Sequence, residues 1–466
     1  MKTVFFILIA LLAILLLPPA IFKARSKDLN LIIISIDTLR PDHMGVYGYD
    51  KNTTPNIDNF SKKSTVFTNV TTVVPMTHPS FFALMTGQDI FKTRITSNQN
   101  LDISDNIKTL ATRLKEEGYK TSAFVSAESS LKQGFDRFKT YNFKYYFNQD
   151  GSDRFGQGSR EGYEEFVNKA AESLSGKNGK FFTWIHLVDP HAPYFPPDDL
   201  KCKFNTSYCT QVYGKSLEEI DSLRAQYQQC QNKTVPKENT GLMQTLYDGD
   251  VAAADRLVGN IINKIKKENL FKNSVVLIYG DHGEGFDHNY YFNHQSVLYN
   301  SAVKIPLIIY HPFSRFHGYS NLLLQNTDIL PTIMDLLNIP YEDTVSGKSF
   351  STVFSPIPGS GLFKNPRQYS FSSDSMLKKF SVTDGKYKYI LSLPGSCIES
   401  NQTEELYNLK NDRDETKNII KKDPDAANNL KSQLLMYLSQ YNLPLVVKPI
   451  ISEEELLNSR SGALQD

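Results

Sequence analysis

The chain has 466 residues and a formal net charge of +1, with 51 basic and 50 acidic residues interspersed along it. That length accommodates one large domain and a smaller one, at ~100–200 residues per domain. The balanced charge excludes a nucleic-acid binder, which shows a basic excess or a basic stripe.

Residues 1–25 stand apart. Lys2 precedes an apolar run from Val4 to Leu17, then come Pro18, Pro19, Ala20, Ile21 and Phe22, and finally Lys23, Arg25 and Lys27. This is an export segment, either a cleaved signal peptide or a retained N-terminal membrane anchor. Extended to Phe22 the run nearly reaches the ~20 residues of a spanning helix, and only Ala20 and Ala24 offer small residues for cleavage, so the anchor is the favoured reading. The basic cluster after the run opposes the positive-inside preference for an exported body. The expected location is outside the cytoplasm, membrane-anchored and facing the periplasm or cell exterior, or secreted. Four cysteines, Cys202, Cys209, Cys230 and Cys397, follow this segment. In an oxidising compartment an even count permits two disulfides in three possible pairings, of which closure of Cys202 on Cys209 is preferred. A zinc site, the rival use, would show a C-x-x-C pair, and none is present.

From Leu31 onward, apolar runs ending in polar or acidic residues alternate with segments of helical period, the pattern of a parallel sheet covered by helices on both faces. The run from Leu31 to Ile36 stops at Asp37. A helix opened by Ser104, with Ile107, Leu110 and Leu114 on one face, leads to a strand over residues 118–125. The strand over residues 181–188 stops at Asp189. A helix carrying Ala254, Leu257, Val258, Ile261, Ile262 and Ile265 precedes the strand from Ser274 to Tyr279, which stops at Gly280 and Asp281. Asp37, Asp189 and Asp281 therefore fall just past the carboxyl ends of buried strands, where open α/β sheets place their ligand crevice. A further strand over residues 303–310 leads to a helix that begins near Thr327 and Asp328, carries Pro331 in its first turn and ends at Asn338 before Pro340. Beyond residue 355 short strands and turn signals such as Asp384-Gly385 predict a small antiparallel sheet. A last helix starts at Asp423 and Pro424 and buries Leu430, Leu434, Leu435 and Leu438.

Asp37, Asp281 and His282 make a mixed oxygen and nitrogen set suited to a divalent metal, although strand-end aspartates also serve as helix caps. Between them lies the run from Pro75 to Gly87. Thr77 opens an apolar helix with Pro79 in its first turn and Gly87 placed to end it. Backbone N–H groups and the macrodipole at such a terminus favour anions. An ordinary threonine N-cap is the alternative.

In order and spacing these blocks resemble the sulfatase family of the alkaline-phosphatase superfamily. Ile36-Asp-Thr-Leu-Arg-Pro-Asp-His-Met-Gly-Val-Tyr-Gly48 is similar to its opening block, Thr77-His-Pro-Ser80 through Thr86-Gly87 to its nucleophile block, and Tyr279-Gly-Asp-His-Gly-Glu284 to its second metal block. His294-Gln-Ser-Val-Leu-Tyr299, Gly385-Lys-Tyr-Lys-Tyr389 and Glu405-Leu-Tyr407 resemble later landmarks. The resemblance implies an α/β fold of the alkaline-phosphatase type, a large, mostly parallel mixed sheet between helices followed by a small C-terminal antiparallel subdomain. The expected division is a catalytic domain over 29–355, the subdomain over 356–446 and a tail over 447–466.

The resemblance further implies that Asp37, Thr77, Asp281 and His282 bind one divalent metal, with Thr77 also the nucleophile. His191 and His294, with Asp189, match positions that face the substrate, and a histidine suits both oxygen binding and protonation of a leaving group. His282 in the set moves the expected metal from calcium toward zinc or manganese. No aspartate stands four positions before a histidine, so the second metal of the two-zinc relatives is not expected; Glu284 and His288 are the unconventional substitute. Arg40 and Asp42 line the site or pair with each other, His186 is a satisfied core residue, and His78, His311 and His317 are incidental.

Three departures shape the functional expectation. Sulfatases carry a cysteine or serine, converted to formylglycine, where this chain has Thr77; Phe81 replaces an arginine and Thr38 an aspartate. Threonine at that position is characteristic of relatives that transfer phosphoethanolamine or phosphoglycerol and of phosphodiesterases. The expectation is a metal-dependent hydrolase or phosphotransferase acting on phosphate esters of lipids or glycans, held near the membrane by the N-terminal segment. The alternatives are a sulfatase without formylglycine and a non-catalytic binding protein on the same fold.

Overall fold

The computed structural model describes residues 28–98, 106–126, 131–143, 145–147, 153–155, 158–177, 179–228, 235–288, 290–314, 316–354, 366–396, 401 and 403–441. Residues 1–27, expected to be an export segment, Ser104, Cys230, Cys397 and the tail lie outside the described residues. Among the described residues no helix is long and apolar enough to cross a membrane.

The large sheet contains β1 (Asn30–Ile36), β2 (Thr65–Phe67), β3 (Lys120–Val125), β4 (Arg137–Thr140), β5 (Phe181–Leu187), β6 (Ser274–Gly280), β7 (Leu307–Tyr310) and β8 (Gly318–Ser320), in the spatial order β8-β2-β7-β6-β1-β5-β3-β4. Only β7 runs against its two neighbours. β1 is buried throughout, as expected of a Leu/Ile-rich strand, interrupted only by Ser35 after Asn30, at the centre of a parallel sheet. Its side chains alternate between two cores. Ile32, Ile34 and Ile36 share one with Val167 of α4 (Arg160–Glu172) and with Val258 and Ile261 of α5 (Lys237–Lys267). Leu31 and Ile33 share the other with Phe82 of α2 (Thr77–Thr86), Leu110 of α3 (Leu110–Glu116) and Ile333 of α6 (Ile329–Leu336). The short helix Pro55–Ser61 is α1. In register, Ile36 lies opposite both Leu187 and Gly280, so β1, β5 and β6 end at one level and Asp37 and Asp281 emerge side by side.

Several boundaries differ from the predicted ones. α3 begins at Leu110 behind Thr109, whose hydroxyl accepts from the Thr112 N–H at 3.1 Å, so Ile107 precedes the helix. β7 starts only at Leu307, because Pro306 has no N–H to give the ladder; its carbonyl accepts from Gly280 instead, at 3.0 Å, and residues Asn300–Val303 form a helical turn. α5 reaches back to Lys237, well before its apolar stripe. The small sheet of β9 (Ser370–Ser373), β10 (Lys379–Thr383), β11 (Tyr387–Ser392) and β12 (Thr403–Asn408) is antiparallel throughout. Its β10–β11 turn uses Gly385 at φ 88°, a conformation glycine reaches without penalty. α7 (Pro424–Ser439) covers this sheet, capped by Asp423 and burying Leu430, Leu434 and Leu438, while Leu435 is only half-buried. The same core takes in Val73, Val74 and Ala83, so the small sheet is docked beside α2. A Cys202–Cys209 disulfide closes the loop between them.

Candidate active site

Met76, in extended conformation, is the N-cap of α2 and makes no side-chain capping bond, so Thr77 is the first helical residue rather than the cap. Gly87, at φ 63°, ends the helix as expected. Ser80 fixes the helix to the end of β6: its hydroxyl donates to the Asp281 carbonyl at 2.7 Å and pairs with the Tyr279 hydroxyl, and Asn326 donates to the Ser80 carbonyl at 3.2 Å. The result is that Thr77 Oγ1 stands 3.3 Å from His282 Nε2.

Asp37, Asp281 and His282 are buried, with one oxygen or nitrogen from each inside a span of 4.8 Å. His282 Nε2 is 3.6 Å from Asp37 Oδ1 and 3.7 Å from Asp281 Oδ2. His282 Nδ1 donates to the Gly283 carbonyl at 2.9 Å, which leaves Nε2 with its lone pair toward the carboxylates. Asp281 Oδ1 is occupied by the N–H groups of Thr38 and His282, at 3.1 and 2.8 Å. Its Oδ2 and Asp37 Oδ1, by contrast, are buried and have no hydrogen-bond partner. Buried unpartnered carboxylate oxygens are costly unless a cation satisfies them. Burial and the Asp37 charge push the Asp281 carboxyl well up. Burial pushes Asp37 up as well, but His191, His186 and His282 outweigh it and hold that carboxyl low. Burial and His294 push the His282 imidazole down to about 3, keeping it neutral and able to ligate. Two carboxylates and a neutral imidazole converging on one point fit a divalent cation.

The two histidines expected to face the substrate flank this cluster. The His294 ring is 4.3 Å from that of His282 and 5.6 Å from that of His191. His294 Nδ1 lies 3.2 Å from Glu284 Oε1, and Glu284 Oε2 accepts from the Tyr194 hydroxyl at 2.9 Å. His191 Nδ1 donates to the Ala192 carbonyl at 2.6 Å, and burial holds its imidazole below the usual range.

Asp189 is engaged differently from the expectation. Its carboxylate is held by Arg160, at 2.6 Å, and the same guanidinium reaches Asp250 at 3.1 Å. Arg40 and Asp42 pair with each other in a bidentate contact. Glu284 and His288 do not meet: His288 bonds Asp287 and the Glu415 carbonyl, at 2.7 and 2.9 Å. His186, expected to be a plain core residue, has its Nε2 3.7 Å from Asp37 Oδ2. The usable signals were its place one residue before the end of β5 and strand alternation, which puts it on the Trp184 side with Phe81, whose ring is 4.8 Å away.

A strand-end cluster of two carboxylates and an imidazole beside a helix N-terminus, on a mostly parallel sheet with a small antiparallel sheet docked against it, defines an alkaline-phosphatase-like architecture. The sulfatase family model matches residues 29–339, and the model for the N-sulphoglucosamine sulphohydrolase C-terminal region matches residues 287–442. The chain belongs to the sulfatase family. An arylsulfatase of Clostridium perfringens is 23% identical over 452 residues, covering 84% of this chain and 90% of that one. Among solved structures, a protein in complex with its substrate D-glucosamine-2-N,6-O-disulfate superposes with a TM-score of 0.70 at 19% identity, covering 89% and 98% of the two chains. A phosphonate monoester hydrolase of Agrobacterium radiobacter superposes at 0.67 with 14% identity, covering 89% and 96%.

These findings overturn the expectation of a phosphate-ester hydrolase or phosphotransferase. The relatives matched along most of the chain are sulfatases, and the sulfatase alternative fits them. The expectation rested on Thr77, with Phe81 in place of an arginine and Thr38 in place of an aspartate. Sulfate and phosphate are both tetrahedral oxyanions, so one hydroxyl beside a metal cluster does not discriminate between them.

Proposed function

We propose that this chain is an exported, metal-dependent sulfatase that hydrolyses sulfate esters of glycans without formylglycine. The names of its relatives, an arylsulfatase and a protein solved with a sulfated glucosamine, support the substrate class. The observation that carries the reading is the buried Asp37, Asp281 and His282 cluster with Thr77 Oγ1 at 3.3 Å from His282. Asp37, Asp281 and His282, together with Thr77, would hold one divalent ion, and the imidazole favours zinc or manganese over calcium. Such an ion supplies charge stabilisation to the sulfuryl oxygens and lowers the pKa of a coordinated hydroxyl.

The chain's own groups divide the remaining work. The positive end of the α2 dipole favours the sulfate, although the His78 and Ser80 N–H groups are taken by Asn98 Oδ1 and the Met76 carbonyl and Pro79 has none. Thr77 Oγ1 loses its proton to solvent and attacks sulfur as the sulfur–oxygen bond to the sugar breaks; water then attacks the sulfur of the sulfo-threonine, releasing sulfate and restoring the Thr77 hydroxyl. Glu284 holds His294 by Nδ1, which turns Nε2 toward protonation of the sugar oxygen that leaves. His191, with Nδ1 on the Ala192 carbonyl and its ring 5.6 Å from that of His294, lines the same side of the pocket. Residues 1–25 deliver the enzyme across a membrane or anchor it there.

Inorganic sulfate released from a sulfated glucosamine is the test, measured after chelation and again after zinc or manganese is restored. Restored release in the wild type, reduced about 100-fold or more in Asp281→Asn, is expected. Release that survives chelation undiminished would remove the metal cluster from the reaction.

A further inference from the structure

Away from the cluster, a cavity of about 400 Å³ is lined by Asn205, Tyr208, Lys237, Gln244, Phe286 and Tyr291, with Lys51 at its wall. That volume falls in the ~300–1,000 Å³ range of small-molecule sites. Three independent elements build it. The loop 202–209, closed by the Cys202–Cys209 disulfide, brings Asn205 and Tyr208. The first turns of α5 bring Lys237, Gln244 and Gly241, where a Cβ would collide with the Tyr208 hydroxyl, so glycine is what allows the ring to approach the helix. The loop 284–294 brings Phe286 and Tyr291, which pair across a short ladder.

That last loop joins the cavity to the site. At its two ends Glu284 and His294 bond each other at 3.2 Å, and in its middle the Phe286 ring lies 5.8 Å from the ring of Tyr194, which donates to Glu284. The lining combines aromatic rings, amide groups and ammonium groups. Lys51 spends one of its three N–H donors on Asp248, at 2.8 Å. Rings suit the C–H face of a sugar, amides its hydroxyls, and ammonium groups an acidic substituent. We infer that this cavity binds a second, acidic residue of the same glycan whose sulfate ester is cleaved at the Asp37 cluster, an inference that rests on the reading of the chain as a glycan sulfatase.

The test is calorimetric binding of a heparin-derived tetrasaccharide to the full protein and to Tyr208→Ala and Lys237→Gln, alongside hydrolysis of a small aryl sulfate too short to reach the cavity. Each variant is expected to weaken tetrasaccharide binding roughly tenfold and to leave kcat/KM for the aryl sulfate unchanged. Unchanged tetrasaccharide affinity in both variants, equal affinity for its desulfated form, or an equal loss on the aryl sulfate would overturn the inference. Tetrasaccharide binding that depends on Tyr208 and Lys237 in a wild type that releases no sulfate would support the cavity and count against the hydrolase reading instead.

Discussion

His186 Nε2 stands 3.7 Å from Asp37 Oδ2, while His282 Nε2 stands 3.6 Å from Oδ1 of the same carboxylate. Asp37 is thus approached from two sides, by one imidazole of the cluster and one outside it. Behind His186, its Nδ1 pairs with Ser35 Oγ at 3.0 Å, and that oxygen accepts from the Trp184 indole at 2.9 Å. A Ser35 hydroxyl that donates to Nδ1 would place the His186 ring N–H on Nε2, on the side of Asp37.

If Asp37 holds the proposed ion, this arrangement gives His186 the part of a positioning residue for it. His186→Ala is expected to weaken zinc affinity about 10–100-fold, measured by chelator competition, with His186→Gln recovering part of the loss. Zinc affinity equal to wild type in His186→Ala would reduce His186 to packing.

The Arg160 guanidinium neutralises Asp189 and Asp250, both fully buried. Arg160→Met removes the counter-ion of two buried carboxylates and is expected to cost about 3–5 kcal/mol in urea denaturation. Asp189→Asn is expected to cost less and to leave KM unchanged. A raised KM in Asp189→Asn would return that residue to the substrate.

Burial pushes the His311 imidazole down to about 3, while its Nδ1 accepts the Phe313 N–H at 3.2 Å. The folded state therefore binds fewer protons than the unfolded one below the ordinary histidine value of 6.5. Its contribution to stability is complete above pH 6.5 and is lost as pH falls toward 3. The slope of unfolding free energy against pH in that window is expected to be shallower in His311→Asn. An unchanged slope would assign acid sensitivity to other groups.

The Asp281 carboxyl has the opposite sign. Its folded value lies above the ordinary 3.8, so the stability it contributes is present below that value and is lost as pH rises through the folded one. The metal-free protein is expected to lose melting temperature as pH rises above the ordinary carboxylate range, and zinc or Asp281→Asn is expected to abolish that loss. Identical pH profiles with and without zinc would mean that the ion binds elsewhere.

What could be read from the sequence was local. The Leu/Ile-rich run of β1 ending at Asp37, the Gly87 stop of α2, the Asp384-Gly385 turn and the Asp423 cap of α7 each carry their signal within a few residues. Pro306 also carried a local signal, and it set the start of β7 against the longer apolar run. What could not be read depends on register between distant strands. Ser35 meets His186 across 151 positions, and Arg160 meets Asp250 across 90. Thr77 was placed correctly at a helix start, but its chemistry was read too narrowly, since a hydroxyl carries no label for sulfate or phosphate.

The most direct test is sulfate release from a sulfated glucosamine by zinc-reconstituted wild type, Thr77→Ser and Thr77→Ala, with zinc affinity measured on the same samples. Thr77→Ser is expected to retain release, and Thr77→Ala to fall by at least about 100-fold while Asp37, Asp281 and His282 still bind zinc. Wild-type rates in Thr77→Ala would contradict the assignment of the attack to this hydroxyl.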